Sequence, residues 1–223
     1  MKRLCILFPL LALLSGCGAR SDRQVELNQN TGQLLPVSAL AIDTHKNGLV
    51  MTVETVRQDS LNGDAAPAYF TVEGETFDEL FLRADELLAS RLYLSHAQAI
   101  VVSPPVAQFA LPALVDSLLN RPDARLTLRI AVTRDAAPDE VLRADAVVEG
   151  IPGVALVALL DRRAADGSAA DCPLFRLLDR EMSGLPFSLP VLKLSPDGHA
   201  APDGSARLAD GELSFTTGGT RHA

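Results

Sequence analysis

The stretch from Thr76 to Ser103 constrains the fold most, because its hydrophobic period changes once along its length. Its first part places apolar residues at spacings of three and four, which predicts an amphipathic helix with one buried face. Those residues are Phe77, Leu80, Phe81, Ala84, Leu87, Leu88 and Leu92. Thr76 and Glu79 match the T-x-x-E pattern of a capping box, so we expect the helix to begin at Thr76.

A polar corner and a buried strand follow this helix. Tyr93, Ser95 and His96 form the corner, and residues 97–102 form a nearly continuous apolar run. A run of that length is typical of a strand covered on both faces. The prolines at 104 and 105 end it. A helix that leads directly into such a strand favours a layered α/β domain.

The flanking segments predict the rest of the sheet. We expect a hairpin (34–42 with 49–56), a strand (69–73), a helix (106–119), a strand with one polar face (126–132), three helices (138–142, 151–162 and 174–182), an extended run (185–194) and a hairpin (206–208 with 213–215). Pro186 and Pro190 suit the extended run to a sheet edge. The predicted class is α/β (α+β), with a mixed β-sheet, flanking helices and a small β-rich C-terminal portion.

The first 17 residues are typical of a targeting signal rather than of structure. Lys2 and Arg3 precede an apolar segment that is short for a membrane-spanning helix. Leu14-Ser15-Gly16-Cys17 then matches the bacterial lipobox, which predicts cleavage before Cys17 and acylation of its thiol. The alternative is an ordinary secretory signal with a coincidental cysteine. The polar residues 17–33 are expected to tether the fold to the lipid.

Charge and cysteine content narrow the possible partners. Loss of Lys2 and Arg3 with the signal changes the formal net charge from −8 to −10, so the folded body is not expected to bind nucleic acid or anionic headgroups. Membrane attachment is therefore assigned to the acyl chains on Cys17. Cys5 leaves with the signal, which leaves Cys172 without an intrachain disulfide partner. Cys172 is predicted to be a small buried residue, with a reactive thiol as the alternative.

No catalytic motif stands out. The chain has no G-x-S-x-G, phosphate loop, H-E-x-x-H or paired CxxC, and we expect a non-enzymatic protein without a cofactor or metal. Tyr93 and His96 are interpreted as a structural corner, with proton transfer or ligand binding by His96 as the alternative. Asp85 and Glu86 are expected to lie on a solvated helix face.

Several short motifs, in order, resemble the N-terminal domain of the Ger(x)C spore germination proteins, the lipoprotein C subunits of germinant receptors. The motifs are the lipobox, Ala41-Ile42-Asp43, the hairpin partner at 49–56, Gly74-x-Thr76-x-x-x-Leu80, Arg91-Leu92-Tyr93-Leu94-Ser95-His96, Asn120-Arg121-Pro122-Asp123-Ala124-Arg125-Leu126 and Leu189-Pro190-Val191-Leu192. Leu94 stands where the family usually has an aromatic residue. The resemblance covers roughly residues 14–215, and the usual C-terminal domain of the family is expected to be missing.

The resemblance implies a non-enzymatic subunit anchored at Cys17 on the extracytoplasmic face of the spore inner membrane. Its implied partners are the A and B membrane subunits of a germinant receptor, and Tyr93 and His96 form a corner that contacts a partner or supports the fold. We expect a signal peptide at 1–16, the tether at 17–33, an α/β domain at 34–162, and a linker, helix and hairpin at 163–223 in the same or a second small domain. The alternative function is a stand-alone envelope ligand-binding or scaffold lipoprotein unrelated to sporulation.

Overall fold

The computed structural model describes residues 34–46, 48–58, 65–88, 91–144 and 150–216. The predicted signal peptide, the tether and Cys17 lie outside these ranges. The strands are β1 Leu34–His45, β2 Gly48–Gln58, β3 Ala65–Gly74, β4 Arg91–Tyr93, β5 Ala99–Val102, β6 Arg129–Thr133, β7 Phe187–Leu194, β8 Ala200–Ala209 and β9 Glu212–Thr216. The helices are α1 Phe77–Leu88, α2 Leu111–Leu119, α3 Pro138–Arg143, α4 Pro152–Ala165 and α5 Leu174–Met182.

Within the described residues, the nine strands form one mixed sheet in the order β3-β2-β1-β5-β6-β7-β8-β9, with β4 paired to β1. Strands β1, β5, β6 and β7 run parallel in its centre. An antiparallel ribbon extends the sheet on each side, β2 with β3 on one and β8 with β9 on the other. The predicted α/β class, a mixed sheet with flanking helices, is confirmed.

The central strands are buried on both faces because helices cover each face. Ile100 and Val102 of β5 join the core that includes residues of α1, α2 and α5. Ala99 and Val101 face the other way and join the core formed with α3 and α4. Because successive side chains of a strand point to opposite faces, this one strand contributes apolar residues to both helix-covered cores. This accounts for the nearly continuous apolar run at 97–102.

Helix α1 is shorter than its apolar period predicted. It spans Phe77–Leu88, whereas Leu92 lies in strand β4, so including Leu92 in the helix was wrong. Leu87, which was expected to face the core, is 61% exposed. The helical spacing of apolar residues continues past the end of the helix because strand β4 begins three residues after Leu88, and its central residue, Leu92, is also buried.

The predicted cap at the start of α1 forms with one change of partner. The Thr76 hydroxyl accepts a hydrogen bond from the Glu79 N–H at 3.2 Å. The Glu79 carboxylate accepts from the N–H of Glu75 at 2.7 Å, one residue before the amide that the capping box predicts. This bond and the neighbouring Arg83 guanidinium hold the pKa of Glu79 below its usual range.

Two predictions about strand position were wrong. The strand expected at 126–132 with one polar face is Arg129–Thr133, and α4 covers the face that includes Ala131. The run at 185–194 was expected at a sheet edge, yet β7 lies between β6 and β8. The sheet accommodates Pro190 because the register with β8 shifts between Pro190 and Leu192, and the pairing with β6 begins only at Val191.

None of the helices within the described ranges has both the length and the hydropathy needed to cross a lipid bilayer.

Candidate functional site

The predicted corner lies where β4 passes into a 3-10 turn, Leu94–His96, before β5. Leu94 is buried beneath the turn, while His96 is exposed. The rings of Tyr93 and His96 meet edge to face, with their centroids 5.7 Å apart. This geometry presents a half-buried phenol and an exposed imidazole side by side on the surface.

Two carboxylates position the backbone of this corner. Asp85 of α1 accepts the N–H of Leu92 at 2.7 Å. Asp123 accepts the N–H of Leu94 at 2.8 Å. Because charged acceptors make stronger hydrogen bonds than neutral ones, these two contacts determine where the corner turns. The expectation that Asp85 lies on a solvated helix face was therefore wrong: its side chain is 27% exposed and bonded to the corner.

Arg121 holds the two carboxylates together. Its guanidinium lies 3.9 Å from Asp85 and 3.5 Å from Asp123, and it donates a 3.0 Å hydrogen bond to the carbonyl of Leu92. The cationic carbon also lies 4.8 Å from the centre of the Phe81 ring. The Arg121 side chain is only 11% exposed. We refer to Asp85, Arg121 and Asp123 as the corner bracket.

Local sequence patterns predict the corner but not its bracket. In the sequence, Arg121 and Asp123 belong only to a turn motif that resembles the family. They are separated from Leu92 and Leu94 by 29 residues, so no local period or spacing connects the two segments. The one sequence signal for the bracket was that Arg121 and Asp123 flank Pro122 just after a predicted helix.

The chemistry within reach of the corner is limited. His96 is exposed, and its ring packs edge to face against the ring of Tyr93. The structure, over the residues it describes, contains no group of three or more His, Cys, Asp or Glu side chains arranged to hold a metal ion. The arrangement is suited to presenting a shaped polar surface.

A second polar centre surrounds the buried side chain of Glu54, and no sequence pattern predicted it. Glu54 on β2 has no exposed surface. Its carboxylate accepts hydrogen bonds from the hydroxyl of Ser38 at 2.5 Å, the hydroxyl of Tyr69 at 2.9 Å and the N–H of Gly153 at 2.9 Å. All three partners act as donors, which is the complement that a carboxylate requires. Gly153 lies at the start of α4, where the helix dipole favours negative charge.

The buried Glu54 joins elements that are far apart in sequence. Ser38 is the extra residue where the register between β1 and β2 shifts, and this shift turns its hydroxyl toward Glu54. The Arg143 guanidinium of α3 lies 4.6 Å from the centre of the Tyr69 ring. The buried Glu54 carboxylate accepts hydrogen bonds from β1, β3 and the start of α4, so the centre connects β1, β2, β3 and α4 as a structural junction.

Cys172 is buried and unpaired. Burial raises the pKa of its thiol to about 12, and the nearby Asp171 carboxylate adds to this effect. A thiol with that pKa stays protonated and weakly nucleophilic near neutral pH. The prediction of a small buried residue is confirmed, and the alternative of a reactive thiol is wrong.

Comparisons with known proteins identify the family. No curated protein and no solved structure gives a significant match to this chain. The model of the spore germination protein N-terminal domain matches residues 29–194, which is more than half of the 223 residues. The match includes the corner, its bracket and the Glu54 junction, and it confirms the resemblance drawn from the sequence motifs. The chain belongs to this spore germination protein family and has a role in spore germination.

Proposed function

We propose that this protein is a non-enzymatic, lipid-anchored subunit of a nutrient germinant receptor, held on the extracytoplasmic face of the spore inner membrane. The family match over residues 29–194 is the observation that carries the proposal. The lipobox ending at Cys17 supports the anchor. In this proposal the A and B membrane subunits are the partners, and the folded domain is the part that they contact.

The corner at Tyr93 and His96 is the proposed contact surface. Its backbone is held by the half-buried corner bracket, while the imidazole of His96 remains exposed. A rigid support beneath an accessible polar group is what a binding surface needs, because little conformational entropy is then lost on association. The bracket therefore shapes the surface, and Tyr93 and His96 supply the contacts.

The anchor is tested by Cys17→Ala. Without its acyl chains the protein is expected to move from the membrane fraction to the soluble fraction and to lose most of its support for germination, because anchoring concentrates it beside its partners. Fractionation with immunoblotting, alongside germination of spores that carry the variant in a deletion background, measures both effects. Cys172→Ala is the matched control and should stay in the membrane fraction. Full membrane retention of the Cys17→Ala protein would contradict the anchor.

The contact surface is tested by His96→Ala. Because His96 is exposed and makes one ring contact, this change should alter the free energy of unfolding by less than about 1 kcal/mol. Germination and co-purification with the A and B subunits should nevertheless fall. Arg121→Ala is the contrasting variant, since removing a buried charge partner costs about 3 kcal/mol or more. Normal germination and co-purification of the His96→Ala protein would sink the proposed role of the corner.

A further inference from the structure

A cleft of about 410 Å³ lies between α5, the segment 170–172 that precedes it, and the start of β7. Arg176 and Arg180 of α5 line it together with Arg207 of β8, while Cys172 and Leu177 form its buried floor. This volume falls in the range of pockets that bind small molecules, roughly 300–1,000 Å³. The cleft thus combines a ligand-sized space with three guanidinium groups.

The cleft is locally cationic although the chain as a whole is acidic. Among the described residues that line it, Asp171 is the one carboxylate. Asp171 is already engaged, because it pairs with Arg176 at 2.8 Å and lies 3.7 Å from Arg129. The expectation that the folded body would not bind nucleic acid or anionic headgroups was drawn from the net charge, and a net charge does not show where charges of one sign cluster on the surface.

Arg180 and Arg207 differ from the other arginines near this face. Neither side chain makes a hydrogen bond or ion pair with any residue in the part of the chain that the structure describes. Arg176 and Arg180 also stand four residues apart on one side of α5, a spacing at which like charges repel. Arg176 is paired with Asp171. Among the described residues, however, the fold leaves the guanidinium groups of Arg180 and Arg207 without an internal carboxylate partner in a concave site, which is the electrostatic arrangement expected of an anion-binding site.

The remaining walls define what kind of anion fits. Leu185, Pro186 and Phe187 supply apolar lining, and Ser188 also lines the cleft. Guanidinium groups bind carboxylate and phosphate oxygens with paired hydrogen bonds. We propose that this cleft binds a small organic anion, with Arg180 and Arg207 holding its carboxylate or phosphate oxygens and the apolar wall contacting its carbon skeleton.

Two sources can supply this chemistry: a free carboxylate or phosphate compound, or the phosphate of an anionic lipid headgroup. Titration calorimetry on the full chain at low ionic strength, with citrate, glycerol phosphate and monomeric dihexanoyl phosphatidylglycerol, distinguishes them. Saturable binding of citrate or glycerol phosphate without the lipid indicates a free ligand. Tighter binding of the lipid than of either soluble anion, with no binding of dihexanoyl phosphatidylcholine, indicates a headgroup.

The decisive variant is Arg180→Gln/Arg207→Gln. Each lost charged hydrogen-bond donor should weaken binding by about tenfold or more. Both side chains are exposed, so the melting temperature should be unchanged or slightly raised. The matched control is Arg91→Gln/Arg125→Gln, which removes two exposed arginines outside the cleft whose side chains have no ion-pair partner among the described residues, and it should retain the wild-type affinity. Failure of all three anions to bind saturably, or an equal loss of affinity in the control, would overturn the proposal.

Discussion

At the scale of single residues, the structure shows how position changes the behaviour of similar acids. Glu79 at the start of α1 gains a backbone hydrogen bond and an arginine neighbour, which lower its pKa. Glu181 near the end of α5 has its pKa raised, first by burial and then by the Asp116 carboxylate of α2. The first carboxylate stabilises the fold when ionised, and the second destabilises it when ionised.

Because the pKa of Glu181 is raised in the folded protein, we expect Glu181→Gln to increase the free energy of unfolding in a pH-dependent way. A raised folded-state pKa means that the folded protein holds the proton more tightly than the unfolded chain, so ionisation at neutral pH costs stability. The variant should therefore be more stable at pH 7, by less than about 1 kcal/mol because solvent screens this group. The gain should shrink as the pH falls through the folded-state pKa toward the usual value of 4.5. Thermal melts across this range measure it.

The control for this prediction is Glu86→Gln, which neutralises an exposed acid on α1. It should leave the pH dependence of melting close to that of the wild type. A stability gain for Glu181→Gln that stays constant down to pH 3 would show that the acid at 181 is not the source of the effect.

At the scale of elements, the junction around Glu54 determines how α4 lies on the sheet. A Cβ added at Gly153 would lie 2.5 Å from the Cβ of Ala39 and 2.6 Å from the Glu54 carboxylate. The start of the helix therefore approaches β1 and β2 as closely as a glycine allows. This close contact brings the Gly153 N–H within hydrogen-bonding distance of the Glu54 carboxylate.

Gly153→Ala should consequently destabilise the protein by about 1–3 kcal/mol, because the methyl group overpacks the junction. A loss of stability is unusual for this substitution, since replacing glycine by alanine inside a helix normally stabilises the helix by about 1 kcal/mol. Urea unfolding followed by circular dichroism measures the change. Val154→Ala, at an exposed position on the same helix, should have a small effect. A Gly153→Ala protein as stable as the wild type would show that α4 can move away from the sheet.

At the scale of the whole molecule, one sheet connects the two portions that the sequence suggested. Strand β7 pairs with β6 of the preceding α/β segment and with β8 of the C-terminal hairpin. The residues matched by the family model end at 194, which is the last residue of β7. Strands β8 and β9 continue the same sheet beyond that match, and β8 carries Arg207 into the arginine-lined cleft.

The sequence by itself determined the class of elements, the cap of α1, the two hairpins, the buried strand β5 and the family. Each of these depends on a local pattern, either a helical or strand period or a short motif read in order. The same local patterns placed the corner at Tyr93 and His96.

Only the tertiary structure decided the interior position of β7, the corner bracket, the Glu54 junction and the arginine-lined cleft. Arg121 meets Leu92 across 29 residues, and Gly153 meets Glu54 across 99. Charged and small residues at such separations form sites only after the sheet order and the helix layers have brought them together. No period or spacing along the chain encodes that order, because it is selected by the combined burial of both sheet faces.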